Sequence, residues 1–195
     1  LNPTVAQADA YASTNYSTTP LAPGQTAVVA PTYVSTITAA QQNSYNGTVT
    51  RRNAITTNGI YVDQVGSNNS VTVTQDGRYN RVGGYNGATT AAPIQGDYNT
   101  VTVRQGDPTS TYGKNSVEFA IYGSFNTLDL NQGRDKFGGY TGSDSGGHMQ
   151  NVYVNGNSNQ VTIQQQNTGQ GGHYAETVIN GSYNTQNITQ LGNAI

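Results

Sequence analysis

The chain has 195 residues, of which 33% are hydrophobic and 9% are charged, and its formal net charge is −2. It contains no Cys, which excludes disulfides and thiolate metal sites, and its charge gives no electrostatic basis for binding nucleic acid or an acidic membrane surface. No stretch approaches the ~20 apolar residues of a membrane-spanning helix. A composition dominated by Gly, Asn, Gln and Thr, with many Val and Tyr and few charges, favours stacked β-structure over disorder.

The first predicted unit is an N-terminal segment, residues 1–34, which is rich in Ala, Thr and Pro. Because Pro-rich polar segments resist packing, one interpretation is a flexible leader remnant or a recognition tag. The other interpretation is that Ala27–Val34, apolar at several positions, docks on the coil described below or on a neighbouring subunit. The chain begins at Leu1 rather than Met, which indicates that a leader has been removed.

Residues 35–195 contain an internal repeat with the skeleton Gly-x-x-Asn-x5-Gln. Five copies match all three positions, and a weaker sixth copy upstream has Asn43, Asn46 and Arg52 in their place. The full matches are Gly66, Asn69 and Gln75; Gly96, Asn99 and Gln105; Gly123, Asn126 and Gln132; Gly156, Asn159 and Gln165; and Gly181, Asn184 and Gln190.

Each copy predicts a strand after the Asn and another strand before the Gly. After the Asn, apolar residues alternate with polar ones, as Val71 and Val73 do with Thr72, which indicates one buried face. Before the Gly, the inward positions in the best copy are Asn58, Ile60, Val62 and Gln64. The corresponding residues elsewhere are Ser35, Ile37, Ala39 and Gln41; Val117, Phe119 and Ile121; and Val152 and Val154.

The spacing of the copies predicts a β-solenoid of about six two-strand turns, each of about 22 residues. The segment from the first strand through the Gly-x-x-Asn arc is predicted to keep one length. Insertions of 1, 8, 5, 11 and 3 residues are then all assigned to the arc after the Gln, at one edge of the coil. Pro93 falls inside a predicted strand and indicates that its turn is irregular.

These residues resemble the curlin repeat of bacterial curli fibres, Ser-x5-Gln-x-Gly-x-x-Asn-x5-Gln. The closest matches are Asn58-x5-Gln64-x-Gly66-x-x-Asn69-x5-Gln75 and Ser35-x5-Gln41. The first half is degenerate elsewhere, with Asn115, His148 and His173 at the Ser position and Ile94, Ile121, Val154 and Ile179 at the first Gln. The resemblance implies a β-solenoid subunit of an extracellular functional amyloid, exported unfolded through an outer-membrane pore and assisted by a nucleator.

The inward amides are predicted to form ladders along the coil axis. Rungs stack at ~4.8 Å, so an inward Asn or Gln donates to the amide on one side and accepts from the amide on the other. Each satisfied bond contributes about 0.5–1.5 kcal/mol, whereas a buried unpaired group costs about 1–3 kcal/mol, and the ladder therefore fixes the register. The predicted ladder residues are Gln41, Asn46, Gln64, Asn69, Gln75, Asn99, Gln105, Asn126, Gln132, Asn159, Gln165, Asn184 and Gln190, and the arc glycines are Gly66, Gly96, Gly123, Gly156 and Gly181.

Three further features have competing interpretations. Tyr45, Tyr98, Phe125 and Tyr183 precede the arc Asn and predict an aromatic row along the coil, with a carbohydrate-binding strip as the alternative. His148 and His173 share one repeat position and are interpreted as ladder or arc residues rather than as a metal site. The loop Gly133–Gly147, with Asp135 and Asp144, is interpreted as a solvated protrusion rather than a weak Ca²⁺ site.

The predicted function is that of a structural subunit that polymerises end to end, because the terminal rungs leave unpaired backbone and amides and no capping helix is legible. No catalytic constellation, metal site or cofactor motif is recognised, so an enzyme is not expected. The alternatives are an adhesin or fibre module that binds through its arc loops and a soluble ice-binding solenoid. Asp129, Asn131, Gln164 and Asn187 interrupt the Thr array that ice binding requires.

Overall fold

The computed structural model describes residues 50, 52, 54–87, 91–106, 113–133, 144, 146–167 and 172–192. These residues form twelve strands and a short 3-10 turn, Tyr85–Gly87. The strands are β1 Gly59–Ile60, β2 Val62–Val65, β3 Ser70–Gln75, β4 Arg81–Gly84, β5 Ala92–Gln95, β6 Thr100–Gln105, β7 Ser116–Tyr122, β8 Thr127–Gln132, β9 Met149–Asn155, β10 Gln160–Gln166, β11 Tyr174–Asn180 and β12 Thr185–Leu191.

The strands form two parallel sheets in which successive copies of the repeat stack in register, and the predicted all-β solenoid is confirmed. The first sheet contains β1, β2, β4, β5, β7, β9 and β11, and the second contains β3, β6, β8, β10 and β12. One turn of the coil, called a rung below, contributes one strand position to each sheet. Five rungs are described, numbered from the N-terminal side, and they begin at Asn58, Asn80, Asn115, His148 and His173.

The apolar core lies between the two sheets and runs along the axis of the coil. Val101, Leu128 and Val161 from the second sheet and Phe119 and Ile121 from the first are at most 1% exposed. Each of these fully buried side chains contributes about 1.5–3 kcal/mol. The strict alternation of each strand in the second sheet places its other residues on the outer face.

The Gly-x-x-Asn arcs need glycine for two separate reasons. Gly123 has φ of 131°, a conformation that side chains of L-residues rarely adopt. A Cβ on Gly123 would also meet the carbonyl oxygen of Gly156 in the next rung. The same contact recurs at Gly66 and Gly96, so stacking at the spacing of a β-sheet requires the repeated glycine.

The prediction that all insertions fall in the arc after the Gln was wrong for rung 2. Both Gly84 and Ala92 occupy the sheet position that Val62 fills in rung 1, so the eight-residue insertion interrupts the first strand and divides it into β4 and β5. The irregularity predicted from Pro93 is therefore confirmed, and its source is an excursion of the chain beginning at Tyr85.

The predicted sixth copy does not continue the coil at its last position. Arg52, which was aligned with the ladder glutamines, lies with Thr50 in a helical turn, and the amide of Ala54 donates to the Thr50 carbonyl at 3.2 Å. The Arg52 guanidinium donates to the carbonyl of Gly147, beside rung 4, at 2.7 Å. The remaining residues assigned to this copy, including Gln41 and Asn46, and the whole segment 1–34 lie outside the described residues.

The outer face of the first sheet is covered in part, whereas the sequence analysis assigned a buried face only toward the coil interior. Glu118 and Asn151 point outward and are fully buried. The excursion in rung 2 provides part of the cover, because the Tyr85 hydroxyl donates to Glu176 at 3.2 Å and Asn86 bonds reciprocally with Asn151 at 2.6 and 3.1 Å. Burial, reinforced by the Glu176 carboxylate, raises the pKa of Tyr85 and keeps this hydroxyl protonated.

Candidate functional site: stacked side-chain columns

The arc asparagines form one continuous column along the five rungs. Each Nδ2 donates to Oδ1 of the Asn in the preceding rung, with distances of 3.1, 3.1, 3.0 and 2.9 Å from Asn99 to Asn184. The same Oδ1 atoms also accept the backbone N–H of the following Asn at 2.9–3.0 Å. The second Nδ2 proton goes to the carbonyl of the next arc glycine, as from Asn126 to Gly156 at 2.9 Å. The inner amides are thus fully satisfied although buried.

The glutamines at the ends of the second-sheet strands form another column, in which the hydrogen bonds run the opposite way. Each Nε2 donates to Oε1 of the Gln in the following rung, at 2.9, 2.9, 3.3 and 2.8 Å from Gln75 to Gln190. Each Nε2 also donates across the coil to a first-sheet carbonyl, as Gln132 does to Ser116 at 3.0 Å. This column therefore joins neighbouring rungs and closes each rung on itself.

A third column lies at the start of the first-sheet strands. Its members are Asn58, Asn80, Asn115, His148 and His173, and the side chain of each accepts the backbone N–H of the next, at 2.8–3.4 Å. His148 and His173 stack with centroids 5.4 Å apart, consistent with the ladder interpretation. Asn80 was missed because the misplaced insertion shifted the expected position. The available signal was the Asn itself, one residue type of this column, directly before a stretch that contains the buried Val82.

A fourth column, also missed, occupies the position directly after each arc glycine. The backbone N–H in one rung donates to the side-chain oxygen in the next. The four bonds are Ser67 to Asp97 at 2.6 Å, Asp97 to Ser124 at 2.9 Å, Ser124 to Asn157 at 2.7 Å and Asn157 to Ser182 at 2.9 Å. The signal was that this position is Ser, Asp or Asn in every full copy, which are the short side chains that bond nearby backbone.

His148 is held by a carboxylate from the preceding loop. Its Nε2 lies 2.9 Å from Oδ2 of Asp144, whose oxygens also accept the N–H groups of Gly146 and Asn167 at 2.6 and 3.0 Å. Nδ1 of His148 accepts from His173, so in the neutral ring Nε2 carries the proton. The interpretation of this loop as solvated was wrong for Asp144, which is 4% exposed; Asp135 lies outside the described residues.

The protonation states of this pair follow from burial and pairing. Burial lowers the pKa of His148 and outweighs the opposing effect of Asp144. Burial also opposes ionisation of Asp144, but the hydrogen bond and charge of His148 and two backbone N–H groups outweigh it and hold the pKa of Asp144 below its usual value. The pair thus consists of a carboxylate and a neutral imidazole near neutral pH.

Within the part of the chain that the structure describes, the predicted aromatic row contains one stacked pair. Tyr98 and Phe125 stack with centroids 5.1 Å apart and planes 2° from parallel. Ser158 holds the same position in rung 4 and separates this pair from Tyr183, so the prediction of a continuous row was wrong. Tyr45 lies outside the described residues.

Gln64, the other predicted ladder residue, has no amide above it in the described stack, because Ile94 occupies the next position. The other four members of its column are all apolar: Ile94, Ile121, Val154 and Ile179. Gln41, the other amide predicted at this position, lies outside the described residues. Gln64 thus contributes no described rung-to-rung amide bond.

The two ends of the described stack present matching groups. At the C-terminal end, Oδ1 of Asn184 accepts no hydrogen bond from any described residue. At the N-terminal end, Asn69 donates its side chain only to Gly96, and Oε1 of Gln75 receives no donor among the described residues. An in-register rung added at the C-terminal end would therefore meet an acceptor where it carries the Asn donors.

The described residues contain no group of three or more His, Asp or Glu side chains arranged to hold a metal ion. They also contain no helix long and apolar enough to span a membrane. The arrangement instead supports directional hydrogen bonding along one axis.

One comparison with known proteins gave a match. Residues 56–77 match the family model of the curlin associated repeat. Searches among curated proteins and among solved structures each found nothing that matches. The matched residues form most of rung 1, and the other four rungs repeat its Gly, Asn and Gln positions in register. On these grounds the chain contains a curlin-type repeat and resembles the curlin-repeat proteins.

Proposed function

We propose that the protein is a structural subunit that polymerises head to tail into curli-like amyloid fibres, outside the cell, in a biofilm matrix or at the cell surface. The observation that carries this proposal is the match between the two ends of the coil. The C-terminal rung offers Oδ1 of Asn184 where the N-terminal rung carries the Asn69 donors. A second copy stacked in register would continue the Asn column with the bonds that already join the five rungs.

The free energy of such a junction comes mainly from repeated hydrogen bonds and from apolar burial. One new rung contact adds the bonds of the Asn column and a parallel backbone ladder, at about 0.5–1.5 kcal/mol for each net bond. It would also cover Ile60, which points into the coil and is 51% exposed in rung 1. Parallel stacking of this kind has no natural end, since each added subunit presents the same C-terminal rung.

The curlin-repeat match supports this structural role over catalysis, and it supports an extracellular location with a secretion pore and a nucleator as partners. The ice-binding alternative is weakened by the stacking register. Along the outer face of the second sheet, the row that begins with Thr72 and Thr102 continues through Asp129, Thr162 and Asn187, so Thr is not repeated regularly.

The test is assembly of the purified full-length chain. We expect concentration-dependent growth of unbranched filaments, shortened lag when preformed filaments are added, and fibre diffraction at the ~4.8 Å strand spacing. A chain that stays monodisperse and monomeric at high concentration, with or without added filaments, would contradict the proposal and favour an adhesin module.

A further inference from the structure

The fourth column, made by the residue after each arc glycine, has a consistent hydrogen-bond direction. Its bonds all point the same way: a backbone N–H donates to a side-chain oxygen of the following rung, never of the preceding one. The column is exposed at the edge of the coil, at Ser67, Asp97 and Ser182. Four donors are thus satisfied within the stack, and one pair of groups remains at its ends.

Those remaining groups are complementary. In rung 1, the hydroxyl of Ser67 accepts no hydrogen bond from any described residue. In rung 5, the backbone N–H of Ser182 has no acceptor within the described part of the chain, although its own hydroxyl accepts from Asn157 at 2.9 Å. This N–H is exposed to solvent in the single chain, and burial of it by a stacked rung favours a partner that brings an oxygen to the position of the next rung.

We propose, resting on the fibre function above, that Ser67 and Ser182 form a junction contact that gives assembly its direction, with the Ser67 hydroxyl of one copy accepting the Ser182 N–H of another. The contact forms only when the N-terminal rung of the incoming copy stacks on a C-terminal rung. In this column, two C-terminal rungs brought together would present two N–H donors to each other, because the Ser182 hydroxyl already accepts from Asn157 of its own stack.

Rung 1 is the first rung of the described stack and is the surface considered for this contact. Thr50 and Arg52, at the end of the predicted sixth copy, lie in a helical turn, and Arg52 binds the carbonyl of Gly147 beside rung 4. Ile60 in rung 1 is 51% exposed although it points into the coil. Both observations leave the N-terminal rung as a face for a second copy.

The test compares Ser67→Ala with Ser70→Ala in the full chain. Ser70 is an exposed serine of the same rung whose side chain makes no hydrogen bond with the described residues. The measurement is the critical concentration, read as the protein left in solution after assembly. Loss of one junction hydrogen bond is expected to raise it about twofold to tenfold for Ser67→Ala, and Ser70→Ala is expected to match the unmodified chain.

Mixed seeding shows where the defect lies. Ser67→Ala subunits should extend unmodified filaments slowly, and unmodified subunits should extend Ser67→Ala filaments at nearly the normal rate, since each addition then uses an intact Ser67. Equal critical concentrations for both variants, with filaments formed, would overturn the junction contact alone. Lower subunit stability at an unchanged critical concentration would also overturn it, because Ser67 would then be covered by its own chain. Absence of filaments from the unmodified chain would overturn the fibre function as well.

Discussion

Replacing Asn126 or Asn184 by Ala separates the stability of the subunit from the stability of the fibre. The Asn126 side chain is fully buried and takes part in four hydrogen bonds of 2.9–3.1 Å. At about 0.5–1.5 kcal/mol for each bond, Asn126→Ala should reduce the free energy of unfolding by about 4 kcal/mol. Asn184 is exposed and makes one short bond, at 2.9 Å, and one of 3.4 Å. Asn184→Ala should reduce the free energy of unfolding by only about 1 kcal/mol.

The order reverses for assembly, because a stacked copy would give Asn184 the three further bonds that Asn126 already has. Losing those bonds corresponds to more than about 1.4 kcal/mol at each junction, so the critical concentration of Asn184→Ala should rise at least tenfold. Asn187→Ala is the matched control, since Asn187 lies on the outer face of the same strand. Urea unfolding of freshly prepared subunits and sedimentation of assembled protein provide the two measurements. An Asn184→Ala chain that assembles at the normal concentration would refute the column mechanism.

Three other perturbations test separate parts of the structure. Since burial lowers the pKa of His148, the folded state favours the neutral ring. The resulting contribution to the free energy of unfolding is complete above the unfolded pKa of about 6.5 and is lost as the pH falls. The thermal unfolding midpoint should therefore decrease below pH 6.5, and it should decrease less steeply in His148→Asn. A midpoint independent of pH would contradict the burial of a neutral His148 ring in the folded state. Both side-chain polar atoms of Gln186 are buried without a described partner. Gln186→Val should therefore raise the free energy of unfolding measured in urea by about 1–3 kcal/mol. A lower free energy of unfolding would show that the amide is satisfied. Gly123→Ala combines backbone strain with a clash against the next rung and should reduce the free energy of unfolding by more than about 2 kcal/mol. Gly192 also has positive φ but has open space around its Cβ position, so Gly192→Ala should reduce the free energy of unfolding by less. Equal reductions in the two variants would assign the whole effect to backbone strain.

The second sheet could be predicted from the sequence because its strands are bounded on both sides. The Gly-x-x-Asn arc starts each strand and the ladder Gln ends it, so the distance between Asn99 and Gln105 is the same as that between Asn126 and Gln132. A one-residue slip would turn every apolar side chain outward, and the alternation therefore specifies the register. The stacking of Val101 on Leu128 follows directly.

The first sheet was less predictable, because a chain can leave a parallel sheet and re-enter it at the same position. Gly84 and Ala92 both take the place of one residue, and the sequence between them has no feature that distinguishes an excursion within a strand from a longer arc before it. Only the pairing with the flanking rungs shows that the insertion lies within the strand. The pairing of Asp144 with His148 was missed for a related reason, since the loop length gives no indication of which way its carboxylate points.

The opposite directions of the Asn and Gln columns have an electrostatic consequence for a long filament. In the Asn column each N–H points toward the preceding rung, and in the Gln column toward the following one. The carboxamide dipoles of the two columns are therefore antiparallel, and their axial components largely cancel within every turn. If all pointed alike, their moments would add with length, as peptide dipoles do along a helix. A polymer of this chain can thus be polar in structure while its side-chain amides build up little axial moment as it grows.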